Sequence, residues 1–150
     1  MDAATKQRVK QAVLDRARED LAATRADIGD ERTATTLDQD LPHAPDDLAQ
    51  ADEAGDLRGL LERSAERQEA VLRQIEQLDV GPTDEIRPGA LVELDGQRYL
   101  VGVVSSAVEV DGVPYEGLSA DAPLLAAMSG LHAGDSFTVN GREHHIGAVG

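Results

Sequence analysis

The stretch Asp38–Asp56, DQDLPHAPDDLAQADEAGD, lies between two long helical patterns that occupy residues 3–33 and 46–78. The second pattern starts near Pro45, because proline suits the first turn of a helix and the carboxylates after it complement the positive end. Two helices of nearly equal length that are joined by a short link favour an antiparallel arrangement. The sequence therefore predicts an N-terminal coiled-coil hairpin with an acidic tip.

Each helical pattern carries one narrow apolar stripe, so each needs a partner helix. The stripe of the first helix is formed by residues at helical spacing: Val9, Val13, Ala17 or Arg16, Leu21 and Ile28. The second pattern alternates steps of four and three residues, which keeps one seam towards a neighbour: Leu57, Leu61, Ser64, Gln68, Val71, Ile75 and Leu78. Charged residues such as Lys6 and Lys10 are assigned to the polar remainder. Two alternatives stay open: a hairpin that dimerises into a four-helix bundle, and a disordered N-terminal half.

Charge restricts the partners that the chain can have. There are 14 Lys and Arg residues against 29 Asp and Glu residues, a formal net charge of −15 at pH 7. Such a chain is repelled by nucleic acid and by anionic membranes, and it is attracted by a basic protein surface or a divalent cation. The other interpretation is that acidity serves solubility in general. Cysteine is absent, which excludes disulfides and Cys-rich zinc sites. Without a signal peptide pattern or a long apolar run, we expect a cytoplasmic protein.

The period of the apolar pattern changes after a linker at residues 81–84. Two-residue turn signals at Asp95-Gly96, Asp111-Gly112 and Asn140-Gly141 predict three β-hairpins. Pro123 opens a short helix that Gly130 stops. We therefore expect a small antiparallel sheet with one helix packed on it, and an α+β fold class for the whole chain.

Several C-terminal segments resemble the C-terminal domain of the GreA/GreB transcript cleavage factors. They are Pro88-Gly89-Ala90-Leu91-Val92-Glu93-Leu94, Tyr99-Leu100-Val101-Gly102, Leu118-Ser119 with Ala122-Pro123-Leu124, Gly130, Gly134-Asp135 and Ile146. The helical hairpin before this domain is also the family's arrangement. The resemblance thus implies two domains: a hairpin over residues 1–80 with its tip near 34–47, and a GreA/GreB-like domain over 85–150.

The resemblance also implies a fold and a function. The C-terminal domain is expected to be FKBP-like and to dock on the rim of the RNA polymerase secondary channel. The coiled coil is expected to enter that channel, where acidic tip residues help to hold the second Mg²⁺ of the polymerase active site. The chain would then be no enzyme and have no cofactor of its own. It would be a monomer, with a dimer as the alternative, and would bind no nucleic acid sequence specifically.

The tip of this chain departs from the family motif, which reads Asp-Leu-Ser-Glu-Asn-Ala-Glu-Tyr. Asp56-Leu57 begins similarly, but Arg58, Gly59 and Leu60 follow. Three functions stay open: a cleavage factor, a channel-competing inhibitor without cleavage activity, and a coiled-coil interaction module without a polymerase role.

Two groups of residues are candidates for function. The acids near the turn of the hairpin are candidate metal ligands, because Mg²⁺ prefers carboxylate oxygens: Asp38, Asp40, Asp46 and Asp47. The residues after the short helix are candidates for partner binding: Leu131, His132, Gly134 and Asp135.

Other polar residues are interpreted as structural. His144 and His145 are neighbours on one strand and point to opposite faces, so they do not bind one ion. Ser119, Asp121 and Asp135 fit turns and caps better than a hydrolytic set. The FKBP-like fold raises peptidyl-prolyl isomerase activity, but the three aromatic residues of the chain are too few to line such a pocket and also fill a core.

Overall fold

The computed structural model describes residues 2–36 and 45–150, with side-chain surroundings for 2–29 and 55–150. Its N-terminal part consists of two helices, α1 (Ala3–Thr36) and α2 (Pro45–Gln77), of 34 and 33 residues. Each is about 50 Å long, at a rise of about 1.5 Å per residue. A six-stranded, mostly antiparallel sheet with a short helix follows. The predicted α+β class is therefore confirmed.

Two lysines of α1 bind carbonyl groups at the end of α2 and in the linker that follows it. Lys10 Nζ donates to the carbonyl oxygens of Glu76 and Leu78, at 3.0 and 2.8 Å. Lys6 Nζ donates to Gly81 O at 2.6 Å. The last carbonyls of a helix have no partner within it and form its negative end, so ammonium groups stabilise them. The partner numbers fall as the lysine numbers rise, as in an antiparallel pair.

Four of the five positions predicted for the apolar stripe of α1 are buried, and Ala17 is only half-buried. Val9, Val13, Leu21 and Ile28 are all buried. Lys6, however, is only 1% exposed, so its assignment to the polar remainder is wrong. The physical reason is that the aliphatic stem of a lysine can be buried while its ammonium group reaches a polar partner.

The seam of α2 is less regular than its spacing suggests. Ile75 is fully buried and Ala65 is buried, whereas Leu57 is 44% exposed. Gln68, at a seam position, has a buried side-chain oxygen with no hydrogen-bond partner among the described residues. A buried acceptor without a donor costs stability, because it gives up its bonds to water.

Gln68→Leu is therefore expected to stabilise the protein by about 1 kcal/mol, since it removes this unpaired acceptor from the seam. Thermal unfolding followed by circular dichroism measures the change. Gln74→Leu is the matched control, because Gln74 is exposed on the same helix. A lower melting temperature for Gln68→Leu, or an equal gain at Gln74, would contradict the prediction.

The sheet and its helix occupy the C-terminal half of the chain, and residues 85–150 are called the β domain below. The strands are β1 (Leu91–Leu94), β2 (Gln97–Val101), β3 (Val108–Val110), β4 (Val113–Leu118), β5 (Ser136–Val139) and β6 (Arg142–Val149), and the helix is α3 (Pro123–Met128). The strand order is β3-β4-β2-β1-β6-β5. The three predicted hairpin turns are confirmed, because Asp95, Asp111 and Asn140 have φ values of 51°, 54° and 52° and are each followed by a positive-φ glycine.

One strand pair differs from the expected all-antiparallel sheet. β4 runs parallel to β2, with Tyr99 opposite Glu116 and Val101 opposite Leu118. The chain leaves β2, crosses to the edge strand β3 and returns through the Asp111-Gly112 turn. β3 runs in the direction opposite to β2, so its antiparallel hairpin partner β4 runs parallel to β2.

The core of the β domain lies between the sheet and α3. Its buried members are apolar side chains from the sheet, from α3 and from the segment before β1: Ile86, Ala90, Val92, Leu94, Val101, Leu118, Leu125, Met128 and Ile146. Tyr99, Leu124, Leu131 and Phe137 are partly buried against this cluster. The segment after α3 is thereby attached to the core through Leu131.

The chain forms two compact units, one of Met1–Arg16 with Val71–Gly150 and the other of Ala17–Ala70. Within the second unit, Arg25 of α1 forms an ion pair with Glu69 of α2 at 2.6 Å. Among the described residues, no helix has an apolar stretch that could cross a bilayer.

Candidate functional site

The predicted tip acids are only partly described by the structure. Asp38 and Asp40 lie outside the described residues. Asp46 and Asp47 lie in the first turn of α2, which begins at Pro45. The surroundings of their side chains also lie outside the described part, so the metal-binding role stays a prediction.

The second predicted group forms an exposed turn after α3. The N–H of Asp135 donates to the carbonyl of His132 at 3.1 Å, which closes a four-residue turn. Gly134 has φ 89°, the value that the third position of a type II turn requires. The Asp135 carboxylate accepts the N–H of His132 at 2.8 Å and holds the turn from the other side. The turn thus has a defined shape while His132, Ala133, Gly134 and Asp135 remain exposed.

Both ends of this turn are attached to the β domain. The N–H of Ile86 donates to Leu131 O at 2.9 Å, and Gly134 N–H donates to Ile146 O at 2.8 Å. An isolated bridge pairs Glu85 with His132 in antiparallel register. Because residues paired across a bridge point to the same side, the carboxylate of Glu85 lies on the side of His132. The turn therefore presents a rigid surface with carboxylates, which suits a basic protein partner better than an anionic one.

The two histidines of β6 have different partners. His144 Nδ1 lies 2.7 Å from Asp95 Oδ2, and its ring stacks on Phe137 at 5.3 Å between centroids. His145 Nδ1 lies 2.6 Å from Ser136 Oγ. In the described part of the chain, no cluster of three or more His, Asp or Glu side chains is arranged to hold a metal ion.

Asp95 is a centre of polar contacts that was not predicted from the sequence. Its carboxylate accepts the N–H of His145 at 2.9 Å and contacts His144 through the other oxygen. The backbone bond from His145, followed by the side-chain bond to His144, holds the pKa of Asp95 below its ordinary value. Asp95-Gly96 indicates a turn, and nothing local in the sequence shows that this turn lies against β6.

The residues considered as a hydrolytic set, Ser119, Asp121 and Asp135, lie at turns. Ser119 Oγ accepts the N–H of Asp121 at 3.2 Å, which is a turn contact. Asp135 serves the turn of His132 as described above. The predicted turn roles of Ser119 and Asp135 are therefore confirmed. The predicted capping role is wrong, because the N-cap residue of α3 is Ala122 and no side chain caps this helix.

No protein-family model and no curated protein matches the chain. Among solved structures, it is similar to one described as the structure of the transcription factor Gfh1. The two are 21% identical, the match covers 92% of this chain and 93% of that chain, and the TM-score is 0.34. A TM-score this low carries no argument about function.

Proposed function

We propose that the protein is a Gre-like transcription factor that binds RNA polymerase through its secondary channel. The observation that carries the proposal is the combination, in one acidic chain, of two helices of 34 and 33 residues with a six-stranded β domain. In this proposal the β domain docks at the rim of the channel, and the tip of the helix pair modulates the polymerase active site. The chain acts as a monomer and carries out no catalysis of its own.

The glycines of the GreA/GreB resemblance support the proposal through their backbone conformation. Gly89, Gly102, Gly130 and Gly134 have φ values of 92°, 97°, 78° and 89°. These values lie in the region that side-chain-bearing residues rarely adopt. The resemblance therefore includes positions at which the path of the main chain requires glycine, and such positions identify a fold better than apolar residues do.

The turn at residues 131–135 is the proposed docking surface on the polymerase rim. Leu131 attaches the turn to the core, and His132, Gly134 and Asp135 shape its exposed part. A rigid turn loses little conformational entropy on binding. Its carboxylates, and the net charge of −15, favour a basic partner surface.

The proposed role of the tip rests on carboxylate chemistry. Asp38, Asp40, Asp46 and Asp47 provide the oxygen ligands that Mg²⁺ prefers, and Mg²⁺ is typically held by one or two protein carboxylates together with substrate oxygens and water. A shared Mg²⁺ would stabilise the attacking and leaving oxygens of RNA hydrolysis.

Binding to core RNA polymerase is the first test. We expect the full chain to cosediment with polymerase, and Ala133→Arg to weaken binding at least about tenfold, because it places a cation and a bulky side chain on the docking turn. Ala120→Arg is the matched control, since Ala120 is also exposed on a turn of the β domain. Wild-type protein that does not bind polymerase would overturn the proposal. A stable dimer without polymerase binding would assign the chain to interaction modules.

The tip is tested on a stalled, backtracked elongation complex. Shortening of the RNA by the wild-type protein would identify a cleavage factor, and binding without shortening would identify a channel-occupying regulator. In both cases we expect the fourfold variant D38N/D40N/D46N/D47N to bind polymerase and lose the effect on transcription, because amides replace the charged ligands. A variant that keeps the full effect would contradict the role of the tip.

A further inference from the structure

A pocket of about 390 Å³ opens on the β domain where the β1–β2 turn, β6 and α3 meet. This volume is within the range of small-molecule sites. Leu94 and Leu124 form the apolar part of its lining, and Tyr99 adds a half-buried aromatic ring. The polar part of the lining consists of Asp95, Gln97, Arg142 and His144. None of these polar residues belongs to the proposed polymerase-docking turn.

Asp95 orients the imidazole of His144. The Asp95 carboxylate is held by the N–H of His145 at 2.9 Å, and Asp95 N–H donates in return to His145 O at 3.0 Å. The second carboxylate oxygen lies 2.7 Å from His144 Nδ1. The ring is also fixed from the side by stacking on Phe137. Two strands and a turn thus determine the position of this imidazole.

The partner of Nδ1 also determines the tautomer of His144. An ionised carboxylate only accepts hydrogen bonds, and the lowered pKa of Asp95 keeps it ionised near neutral pH. Nδ1 therefore carries the proton in this contact. In the neutral imidazole, Nε2 is then a hydrogen-bond acceptor that remains for a ligand of the pocket.

Arg142 provides a positive charge and hydrogen-bond donors in the same pocket. It lies two residues before His144 on β6, on the same face of the strand and about 7 Å away between Cα atoms. Its guanidinium is a permanent cation that pairs with carboxylates through two parallel hydrogen bonds. Tyr99 donates its hydroxyl to Gln97 Oε1 at 2.7 Å, which leaves the amide N–H groups of Gln97 as further donors.

We propose that this pocket binds a small hydroxycarboxylic acid with an apolar body. The carboxylate of the ligand pairs with Arg142, its hydroxyl donates to His144 Nε2, and its apolar body lies against Leu94 and Leu124. A carboxylic acid without a hydroxyl leaves the oriented Nε2 unpaired and binds more weakly.

The test uses the full chain and two probes of equal size, para-(hydroxymethyl)benzoate and para-ethylbenzoate. Binding is followed by NMR shifts of the His144 ring nitrogens at about pH 8, where free histidine is neutral. We expect a dissociation constant of about 1 mM for the hydroxyl probe and about tenfold weaker binding for the ethyl probe. Equal affinities, or no shift with either probe, would overturn the proposal.

Variants separate the two polar contacts. Arg142→Gln is expected to weaken both probes at least about tenfold, whereas Glu143→Gln, which changes the neighbouring side chain on the other face of β6, is expected to leave both unchanged. Asp95→Ala is expected to reduce the difference in affinity between the two probes, because the imidazole of His144 loses the carboxylate that orients it. The tautomer of the wild-type protein is an independent readout that needs no variant. A predominant Nε2–H form would contradict the proposal.

Discussion

Gly89→Ala is expected to lower the free energy of unfolding by about 4 kcal/mol or more, the range of exceptional single substitutions. A Cβ at Gly89 would lie 1.6 Å from the carbonyl oxygen of Asp79 and 2.7 Å from its carbonyl carbon. Both are backbone atoms, so no side-chain rotation relieves the clash. Gly89 also has φ 92° and donates its N–H to Val101 O at 2.9 Å, which ties it to β2.

Gly96→Ala is the matched control for the clash. Gly96 has a similar φ of 85°, but a Cβ there would meet nothing within 4 Å. It is expected to cost only about 1–2 kcal/mol, the penalty of the left-handed conformation. Urea denaturation of both variants and the wild-type protein measures the difference. Equal losses would show that the contact between Gly89 and Asp79 has no energetic role.

Lys6→Ala is expected to destabilise the protein by about 3 kcal/mol, because it leaves a cavity and removes the donor to Gly81 O. Lys6 is 1% exposed, so the substitution removes the packing of its stem as well as its charge. Lys6→Met keeps most of the stem and is expected to lose less. Lys10→Ala, at a half-buried lysine that also binds carbonyls, is expected to cost about 1 kcal/mol. A Lys6→Ala protein that is as stable as the wild type would contradict the stabilising role of this buried lysine.

The pH dependence of stability tests the same lysine. Burial, helped by the nearby Arg87, lowers the pKa of Lys6 below its ordinary value of 10.5. In the unfolded chain Lys6 keeps its proton to higher pH, so the unfolded state binds more protons between the two pKa values. Stability is therefore expected to rise as pH increases through the folded pKa towards 10.5. Burial raises the pKa of Tyr99, which acts in the opposite direction. Subtracting the stability of Lys6→Met from that of the wild type at each pH removes the contribution of Tyr99. A difference that does not change with pH would contradict the prediction.

The local elements of this protein follow from local chemistry. Pro45 and Pro123 are compatible with a helix only in its first turn, and both helices begin there. Asp-Gly and Asn-Gly pairs adopt positive φ at low cost, so the three hairpin turns are readable as well. The burial of Val13 and Leu21 follows from the helical period of the apolar residues.

The polar contacts could not be predicted in this way, since each joins residues far apart in the chain. Lys6 meets Gly81, and Asp95 meets His144, across separations of 75 and 49 residues. Composition cannot show which backbone carbonyl a lysine of a helix will bind. Likewise, the parallel pairing of β4 with β2 depends on where the β3–β4 hairpin returns to the sheet.

The sequence by itself determined the helix pair, the three hairpin turns and the short helix, because periodicity, proline and positive-φ turn residues act over a few neighbouring positions. The tertiary structure alone decided the burial of Lys6, the strand order and the pocket around His144, because these depend on which distant surfaces come together to cover the core. The proposed docking turn belongs to both: Gly134 marks it in the sequence, and the contacts of Leu131 and Asp135 give it its shape.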